Sequence, residues 1–230
     1  MTIFSFGVYA DDFSNQRRNM VAEIADMVNY TSDSIGRNVL DEKVMAVMGK
    51  VPRHEFVPEE IRSHAYINSA LPIGLGQTIS QPYIVALMTD LANVNEDSNV
   101  LEVGTGSGYQ AAILAELVNH VYTIEIVEPL GLQAEATLKR LGYHNITVRI
   151  GDGYHGWPEQ APFDAILVTA AAEDVPPDLI EQLAPDGRLV IPLGKQSSVQ
   201  SLTVLTKTMD GKIVRKNVLP VGFVPLTGDH

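Results

Sequence analysis

The stretch that decides the fold is VLEVGTGSGY, residues 100–109. Its first half is typical of a buried strand, and glycines then stand at alternate positions, Gly104, Gly106 and Gly108. A strand that runs into a glycine-rich turn and then a helix commonly wraps a nucleotide-like ligand, because the backbone can approach the ligand closely where no Cβ intervenes. The sequence therefore predicts a ligand-binding loop at this point.

Strands and helices alternate regularly around this loop. The predicted strands are 99–103, 121–125, 146–150, 164–169 and 188–193, and the predicted helices are 108–118, 129–141 and 177–184. Such alternation implies right-handed crossovers and a parallel sheet that is covered on both faces. SLTVLTKT and GKIVRKNVLPVGFVPL are predicted as closing strands, joined by a turn at Asp210-Gly211. The expected fold class is α/β, with a doubly wound, mostly parallel, Rossmann-like sheet.

The N-terminal part of the chain has a different pattern. Apolar residues at helical spacing predict helices over 15–29 and 41–49, and VPRHEFVP is expected to form an ordered connector. Pro82 suits the first position of a further helix, where its missing N–H has no cost. We expect residues 1–80 to form a helical appendage on the substrate side and residues 81–230 to form the ligand-binding α/β domain, within one structural unit.

The composition excludes several classes of function. The net charge of −12 disfavours a nucleic-acid partner, although Arg17-Arg18 and 212–216 are local basic clusters. Without cysteine there is no disulfide, thiol nucleophile or thiolate zinc site. No apolar run approaches a membrane span, and the start does not resemble a secretory signal. These features favour a cytoplasmic protein with no membrane partner.

The glycine spacing narrows the choice of ligand. It is G-x-G-x-G, whereas the dinucleotide fingerprint is G-x-G-x-x-G, which brings a pyrophosphate against a helix. The loop here is tighter, and Glu102 precedes it. A ligand that carries a carboxylate and an amine suits such a loop better, because backbone N–H groups can face the carboxylate while an acid or a carbonyl meets the ammonium.

Two further acids complete the predicted ligand. Glu125 ends the next strand, about 20 residues after the loop, where a carboxylate can accept from both ribose hydroxyls. Asp152 follows the third strand and could accept from an adenine amine, with Gly153 letting the backbone approach the ring. Carboxylate, ribose and adenine together describe S-adenosylmethionine. A nicotinamide dinucleotide is the weaker alternative, and each acid could instead be an ordinary strand end or turn residue.

Four motifs extend well beyond the glycine loop. LEVGTGSGYQAAILAEL, VPRHEFVP, GQTISQP and GDGYHGWPEQAPFDAILVTAAA resemble the protein-L-isoaspartate O-methyltransferases, a class I family, from about residue 40 to the end. The resemblance implies methyl transfer from S-adenosylmethionine to the α-carboxyl of L-isoaspartyl residues in damaged proteins and peptides, which initiates repair. It also implies a monomer that needs no metal. The N-terminal stretch departs from the family pattern.

The resemblance also implies roles for particular residues. Ser80 stands at the family's active-site serine, and residues 78–80 stand where donor and substrate meet, with Thr78 and Ser80 on the substrate. Thr227 matches a threonine that closes over the donor. The full set of implied donor contacts is Thr78, Ile79, Glu102, Gly104, Thr105, Gly106, Glu125, Asp152, Gly153 and Thr227.

A carboxylate acceptor explains why no base stands out. Its unperturbed pKa is about 4, so it is ionised at neutral pH and attacks a sulfonium methyl without losing a proton. His54 and His64 are therefore expected to be core or surface residues. Ser80 could instead be only the cap of the helix that starts at Pro82.

Two rival functions remain open. One is a methyltransferase with another acceptor, either a different carboxylate or a small molecule, because the fold does not fix the substrate. DNA is disfavoured as that acceptor. The amino-methylating DNA enzymes usually carry an Asn-Pro-Pro-Tyr-like motif where this chain has TAAAEDVPP, and the cytosine-carbon enzymes need a cysteine, which this chain lacks. The other is a non-catalytic module that binds the donor or damaged peptides. Such a module would keep the glycine loop, Glu125 and Asp152 but would not need TISQP.

Overall fold

The computed structural model describes residues 13–195 and 198–228. Within them the α-helices are α1 (Ser14–Tyr30), α2 (Ser32–Ile35), α3 (Glu42–Lys50), α4 (Pro82–Ala92), α5 (Tyr109–Ala115), α6 (Glu128–Arg140) and α7 (Pro177–Glu181). The strands are β1 (Leu71–Gly74), β2 (Gln77–Ile79), β3 (Asn99–Val103), β4 (His120–Glu125), β5 (Ile146–Ile150), β6 (Phe163–Val168), β7 (Leu183–Leu193), β8 (Gln200–Lys207) and β9 (Ile213–Val221).

Seven of these strands form the main sheet, in the order β5-β4-β3-β6-β7-β8-β9. The first five are parallel, and β8 and β9 close the sheet in antiparallel fashion. The chain builds outward from β3 to β5 and then crosses back to β6 on the other side of β3. This reversal opens a crevice at the carboxyl end of β3, which is where doubly wound sheets bind ligands. The predicted fold class is confirmed.

The predicted boundaries fail where the chain enters β7. The strand starts at Leu183 instead of 188, so the helix predicted to reach 184 was too long and α7 ends at Glu181. Leu183 pairs with Phe163 before the register shifts, and Asp186 takes a positive φ of 60° in the shifted segment. A bulge of this kind breaks the period-2 pattern, so the sequence hid the first part of the strand.

The helical appendage and the sheet share one hydrophobic core. The buried residues Met20, Ile24 and Val28 of α1 belong to the same apolar cluster as α4, which is buried along its whole length. The inward residues of α3 join that cluster as well. The two parts are therefore packed as one unit, and the boundary at residue 80 stays a prediction.

The segment around GQTISQP forms a hairpin that the sequence did not predict. β1 and β2 pair in antiparallel register around a tight turn in which Gly74, Leu75 and Gly76 all have positive φ. The hairpin delivers residues 78–80 to the start of α4, where Pro82 takes the first helical turn as predicted. It thereby fixes the predicted active-site segment between the sheet and a buried helix.

Candidate active site

A cleft lies over the carboxyl ends of β3, β4 and β6, and we call it the donor cleft after its predicted ligand. Its open space is about 570 Å³, which includes the solvent at its mouth. Six of the predicted donor contacts line it, namely Thr78, Gly104, Gly106, Glu125, Gly153 and Thr227. The sheet, the hairpin and the C-terminal segment therefore bring together residues that are far apart in the sequence.

Close packing of the glycine loop requires glycine at position 104. Gly104 has a φ of 98°, and a Cβ there would stand 2.5 Å from Oγ1 of Thr169. That hydroxyl donates to the carbonyl oxygen of Gly104 at 2.6 Å. Any side chain at 104 would therefore be strained and would push Thr169 away, so the loop is held in one conformation at the base of the cleft.

Glu125 ties the loop to the neighbouring strand. Its Oε2 accepts from the N–H of Gly106 at 2.7 Å, and its Oε1 accepts from the N–H of Val127 at 2.9 Å. An ionised carboxylate has about four lone-pair sites, so two acceptor positions are left for a ligand. Because the carboxylate lines the cleft, the geometry fits the predicted contact with ribose hydroxyls.

The turn after β5 forms the floor of the cleft beside Glu125. Gly153 is buried against Val103, and a Cβ there would collide with Cγ1 of that valine. Ile126 forms the adjacent wall with 40% of its surface exposed. A planar apolar ring suits such a slot. Asp152 caps the following turn by accepting from the N–H of Tyr154 at 2.9 Å, and it stands beside the cleft instead of lining it.

Three predicted donor contacts, Glu102, Thr105 and Ile79, are buried behind the cleft wall. Two hydrogen bonds between side chains link Glu102 to the loop. Thr123 donates to Oε2 of Glu102 at 2.5 Å, and the Thr123 hydroxyl bonds that of Thr105 at 2.7 Å. Burial raises the pKa of Glu102 to about 8, so it is a neutral acid at pH 7. In the structure Glu102 supports the loop from below and does not face a ligand ammonium.

A second and larger cleft adjoins the first, and we call it the acceptor cleft. Thr78, Thr169 and Val224 line both clefts, so the two share one wall. The rest of the acceptor cleft comes from the hairpin, the start of α4, the end of β9 and the ends of α1 and α2. None of the described residues that line it is an acid or a base. It is a neutral groove inside a protein with a net charge of −12.

Ser80 lies in the acceptor cleft, half-buried, just beyond the shared wall. The helix-cap alternative does not hold, because the N-cap of α4 is Gln81 and it makes no side-chain capping bond. The structure describes no hydrogen bond of the Ser80 hydroxyl. That hydroxyl is therefore available to a ligand at the point where the two clefts meet.

A C-terminal segment, residues 222–227, forms one side of both clefts. Gln200 holds it through both amide atoms, accepting from the N–H of Phe223 at 2.6 Å and donating to its carbonyl oxygen at 3.1 Å. Ala171 holds the next part through the carbonyl oxygen of Val224 and the N–H of Leu226. Thr227 thereby reaches the donor cleft, and its closure over the donor stays a prediction.

Comparison with known proteins decides the family. A sequence profile described as Protein-L-isoaspartate(D-aspartate) O-methyltransferase (PCMT) matches residues 27–230. The chain belongs to the protein-L-isoaspartate(D-aspartate) O-methyltransferase family. The match starts earlier than the resemblance found by motif, because it includes the end of α1.

Two relatives carry the same description at high identity. Protein-L-isoaspartate O-methyltransferase 2 of Polaromonas sp. is 62% identical over 92% of this chain and 100% of its own length. Protein-L-isoaspartate O-methyltransferase 2 of Syntrophobacter fumaroxidans is 57% identical over 97% of this chain and 91% of its own.

Two solved structures have the same fold. One, titled protein-L-isoaspartate O-methyltransferase, superposes with a TM-score of 0.79 at 27% identity, and covers 93% of this chain and 66% of its own. The other is a crystal structure of a putative protein-L-isoaspartate O-methyltransferase from Plasmodium falciparum in complex with S-adenosyl-L-homocysteine. It has a TM-score of 0.75 at 25% identity, and covers 95% of this chain and 99% of its own.

Family membership explains why neither cleft contains a histidine base or a metal site among the described residues. His54 bonds Tyr66 at 2.8 Å and stacks on Phe13, away from both clefts, and His64 is exposed on a short turn. Among the described residues no group of histidines and acids could hold a metal ion, and no helix is long and apolar enough to cross a membrane. A carboxyl methyltransferase needs neither a base nor a metal to activate its nucleophile.

Thr169 and Ile126 are among the lining residues that were missed at the level of sequence. Thr169 directly follows β6, which pairs with β3, and the rule that looks for polar residues at strand ends would have found it. Ile126 could have been found as an apolar residue directly after a strand-terminal acid. The contribution of α1 and α2 to the acceptor cleft had no such signal.

Proposed function

We propose that the two joined clefts transfer a methyl group from S-adenosylmethionine, bound in the donor cleft, to the α-carboxylate of an L-isoaspartyl residue in the acceptor cleft. The observation that carries this proposal is the shared wall of Thr78, Thr169 and Val224. A sulfonium methyl that projects past this wall would enter the acceptor cleft next to Ser80. The products are the methyl ester and S-adenosylhomocysteine, and collapse of the ester to a succinimide starts repair.

In this proposal some residues bind the donor, and the site as a whole aligns the reacting atoms. Glu125 accepts from the ribose hydroxyls, the glycine loop faces the carboxylate of the donor, and Ile126 and Gly153 enclose the adenine. The acceptor carboxylate is ionised and attacks the methyl carbon in line with the departing sulfur, so no proton moves. Holding the reacting atoms in line and excluding water can contribute up to roughly 7–11 kcal/mol.

Ser80 suits this chemistry because its hydroxyl is neutral. It donates one hydrogen bond that orients the acceptor oxygen, whereas a cation in direct contact would draw charge from the nucleophile and slow its attack. The end of the acceptor cleft next to Ser80 is the place where the carboxylate must lie if the donor occupies the other cleft.

The shape of the acceptor cleft favours a peptide over the small-molecule acceptors that the fold also allows. The cleft is an open groove of about 1,440 Å³ including its mouth, lined by neutral residues on several elements. A small acid would leave most of that surface unfilled. A chain segment on either side of the damaged residue would cover it.

The test is a radiolabelled methyl-transfer assay on paired peptides that differ only in an Asp or isoAsp linkage. We expect label in the isoAsp peptide and none in its Asp partner. Label in both would point to a less selective carboxyl methyltransferase. Donor binding without label in either would leave a non-catalytic binding module.

We also propose that the enzyme works as a monomer in the cytoplasm. The resemblance to the family supports the monomer, and a sequence without cysteine is compatible with a reducing compartment. Sedimentation equilibrium should give a mass near the chain's 25.0 kDa. A concentration-independent dimer mass would contradict the first part of this proposal.

A further inference from the structure

A buried arginine lies directly behind the acceptor cleft, in the VPRHEFVP connector that the proposed function does not use. Arg53 is 0% exposed. Its Nε donates to the carbonyl oxygen of Ala65 at 2.8 Å, and its Nη2 donates to the carbonyl oxygen of Ser80 at 2.7 Å. The guanidinium also lies over the ring of Tyr109, 4.8 Å from the centroid. The connector is thus bonded to the backbone of the active-site serine.

No acid among the described residues neutralises this charge. None of the ion pairs among the described residues includes Arg53, and its Nη1 has no hydrogen-bond partner. Burial lowers the pKa of Arg53 to about 10, which still leaves it protonated at neutral pH. A buried cation without an acidic partner is costly to the fold, so its position behind the cleft calls for an explanation.

The peptide group between Ser80 and Gln81 transmits the charge to the cleft. It is a trans peptide, so its N–H points opposite to its carbonyl group. The carbonyl oxygen accepts from Arg53 in the interior, and Gln81 lines the acceptor cleft on the other side. The Gln81 N–H has no acceptor among the described residues. A hydrogen bond at the carbonyl polarises the amide and strengthens its N–H as a donor.

We propose that Arg53 is a positioning residue that polarises the Ser80–Gln81 peptide, so that the Gln81 N–H and the Ser80 hydroxyl together hold the α-carboxylate of the acceptor. This inference rests on the proposed function of the acceptor cleft. It also explains how a cleft without charged lining residues selects an anion. The cation attracts the carboxylate from behind the backbone and never contacts the attacking oxygen.

The experiment compares the affinities of two peptides in the presence of S-adenosylhomocysteine, measured by calorimetry. One contains L-isoaspartate and the other contains the same residue with its α-carboxylate converted to a carboxamide. We expect the wild type to prefer the carboxylate, and Arg53→Gln to lower that preference about tenfold. Affinity for S-adenosylhomocysteine should stay within about twofold. Arg53→Lys retains the charge and should keep most of the preference.

Arg188→Met is the matched control. Arg188 donates to the carbonyl oxygen of Leu91 at 3.1 Å, at the opposite end of α4, so it makes the same type of contact away from the clefts. Its removal should leave the preference unchanged. Equal weakening of both peptides in Arg53→Gln, or an unchanged preference, would show that Arg53 is merely structural. A wild type that methylates neither Asp nor isoAsp peptides would instead refute the proposed function.

A measurement on the wild type keeps the inference testable if Arg53→Gln does not fold. The amide proton of Gln81 should shift downfield in the NMR spectrum when the carboxylate peptide binds, and clearly less with the carboxamide peptide. A Gln81 signal that does not respond to the carboxylate peptide would overturn the proposal.

Discussion

At Glu125 a single carboxylate joins the loop, the neighbouring strand and the proposed donor. It already accepts from two backbone N–H groups, at Gly106 and Val127. Glu125→Ala should therefore disorder the glycine loop and remove the proposed ribose contact together. We expect donor binding to weaken by about 3 kcal/mol, roughly a hundredfold in Kd, by calorimetry with S-adenosylhomocysteine.

The control for this change is Glu135→Ala, an exposed acid on α6 outside both clefts. It changes the net charge equally and should leave Kd unaltered. If Glu125→Ala binds the nucleoside as tightly as the wild type, the ribose assignment is wrong.

Ser80→Ala tests alignment separately from donor binding. Removal of the hydroxyl takes one donor from the acceptor carboxylate, so kcat on an isoAsp peptide should fall by about tenfold or more while the Kd for donor is unchanged. Ser63→Ala, an exposed serine on the turn before His64, serves as the comparison. Wild-type turnover of the Ser80 variant at saturating donor would remove Ser80 from the mechanism.

Glu102 gives the pH dependence of stability a predictable sign. Burial raises its pKa to about 8, whereas an unfolded glutamate titrates near pH 4.3. Between these values the folded state holds a proton that the unfolded state releases, so the free energy of unfolding falls as pH rises, by up to about 1.4 kcal/mol per pH unit. Glu102→Gln cannot titrate and should lose less stability over this range.

Urea denaturation at a series of pH values from about 5 to about 8 measures this difference. The stability of Glu102→Gln relative to the wild type should increase steadily with pH, and Glu135→Gln should show no such trend. Parallel curves for Glu102→Gln and the wild type would mean that the buried acid does not titrate in this window.

Among the elements, the C-terminal segment depends most on one side chain. Gln200 on β8 bonds both backbone polar groups of Phe223, and the segment then forms a side of each cleft. Gln200→Ala should release the segment and weaken S-adenosylhomocysteine binding about tenfold or more, because Thr227 and Leu226 lose their fixed position. Calorimetry and limited proteolysis near 222–227 measure the two effects.

Asn217→Ala is a suitable comparison for Gln200→Ala. Asn217 is an exposed amide on β9 that accepts from Thr203 and lies outside both clefts. It should change neither affinity nor proteolysis. Unchanged binding in Gln200→Ala would show that Ala171 is sufficient to hold the segment.

Periodicity predicted the long elements well because each satisfies its own pattern. The strand at 99–103 and the helix from Pro82 are as expected, and both bury their apolar residues. The hairpin escaped prediction because its strands are three and four residues long and its turn needs positive φ at Leu75. The early start of β7 escaped because a bulge interrupts its alternation.

For the molecule as a whole, charge and the neutral acceptor cleft together predict which substrates bind well. The net charge of −12 repels acidic segments at a distance, although none of the described residues that line the groove is an acid. An isoAsp peptide flanked by glutamates should have a KM several-fold higher than one flanked by lysines at low salt. Steady-state kinetics at about 1 M salt should bring the two together, because the Debye length is then about 3 Å.

A difference in KM that persists at high salt would contradict this explanation. It would mean that contacts inside the cleft, and not the field of the whole protein, choose among flanking residues. The matched lysine and glutamate peptides share the same damaged residue, so they differ in flanking charge alone.

Apart from Thr78, Ser80 and Thr227, which the family resemblance supplied, the site was predictable where sequence order implies spatial order. Parallel strands place their carboxyl ends along one edge, so Gly104, Glu125 and Gly153 could be assigned to one ligand from their spacing. The walls of the acceptor cleft come from α1, α2 and β9, about 190 residues apart along the chain. Such contacts depend on tertiary packing, which leaves no local pattern to read.

Because residues 222–227 border both clefts, one opening motion would free the spent nucleoside and the peptide alike. The enzyme should then be distributive, restarting from solution after every turnover. A chain with two damaged sites would accumulate singly esterified molecules before doubly esterified ones, and mass spectrometry during the first turnovers would reveal that order. Doubly esterified product at the earliest time points would indicate that the polypeptide stays bound while the nucleoside exchanges.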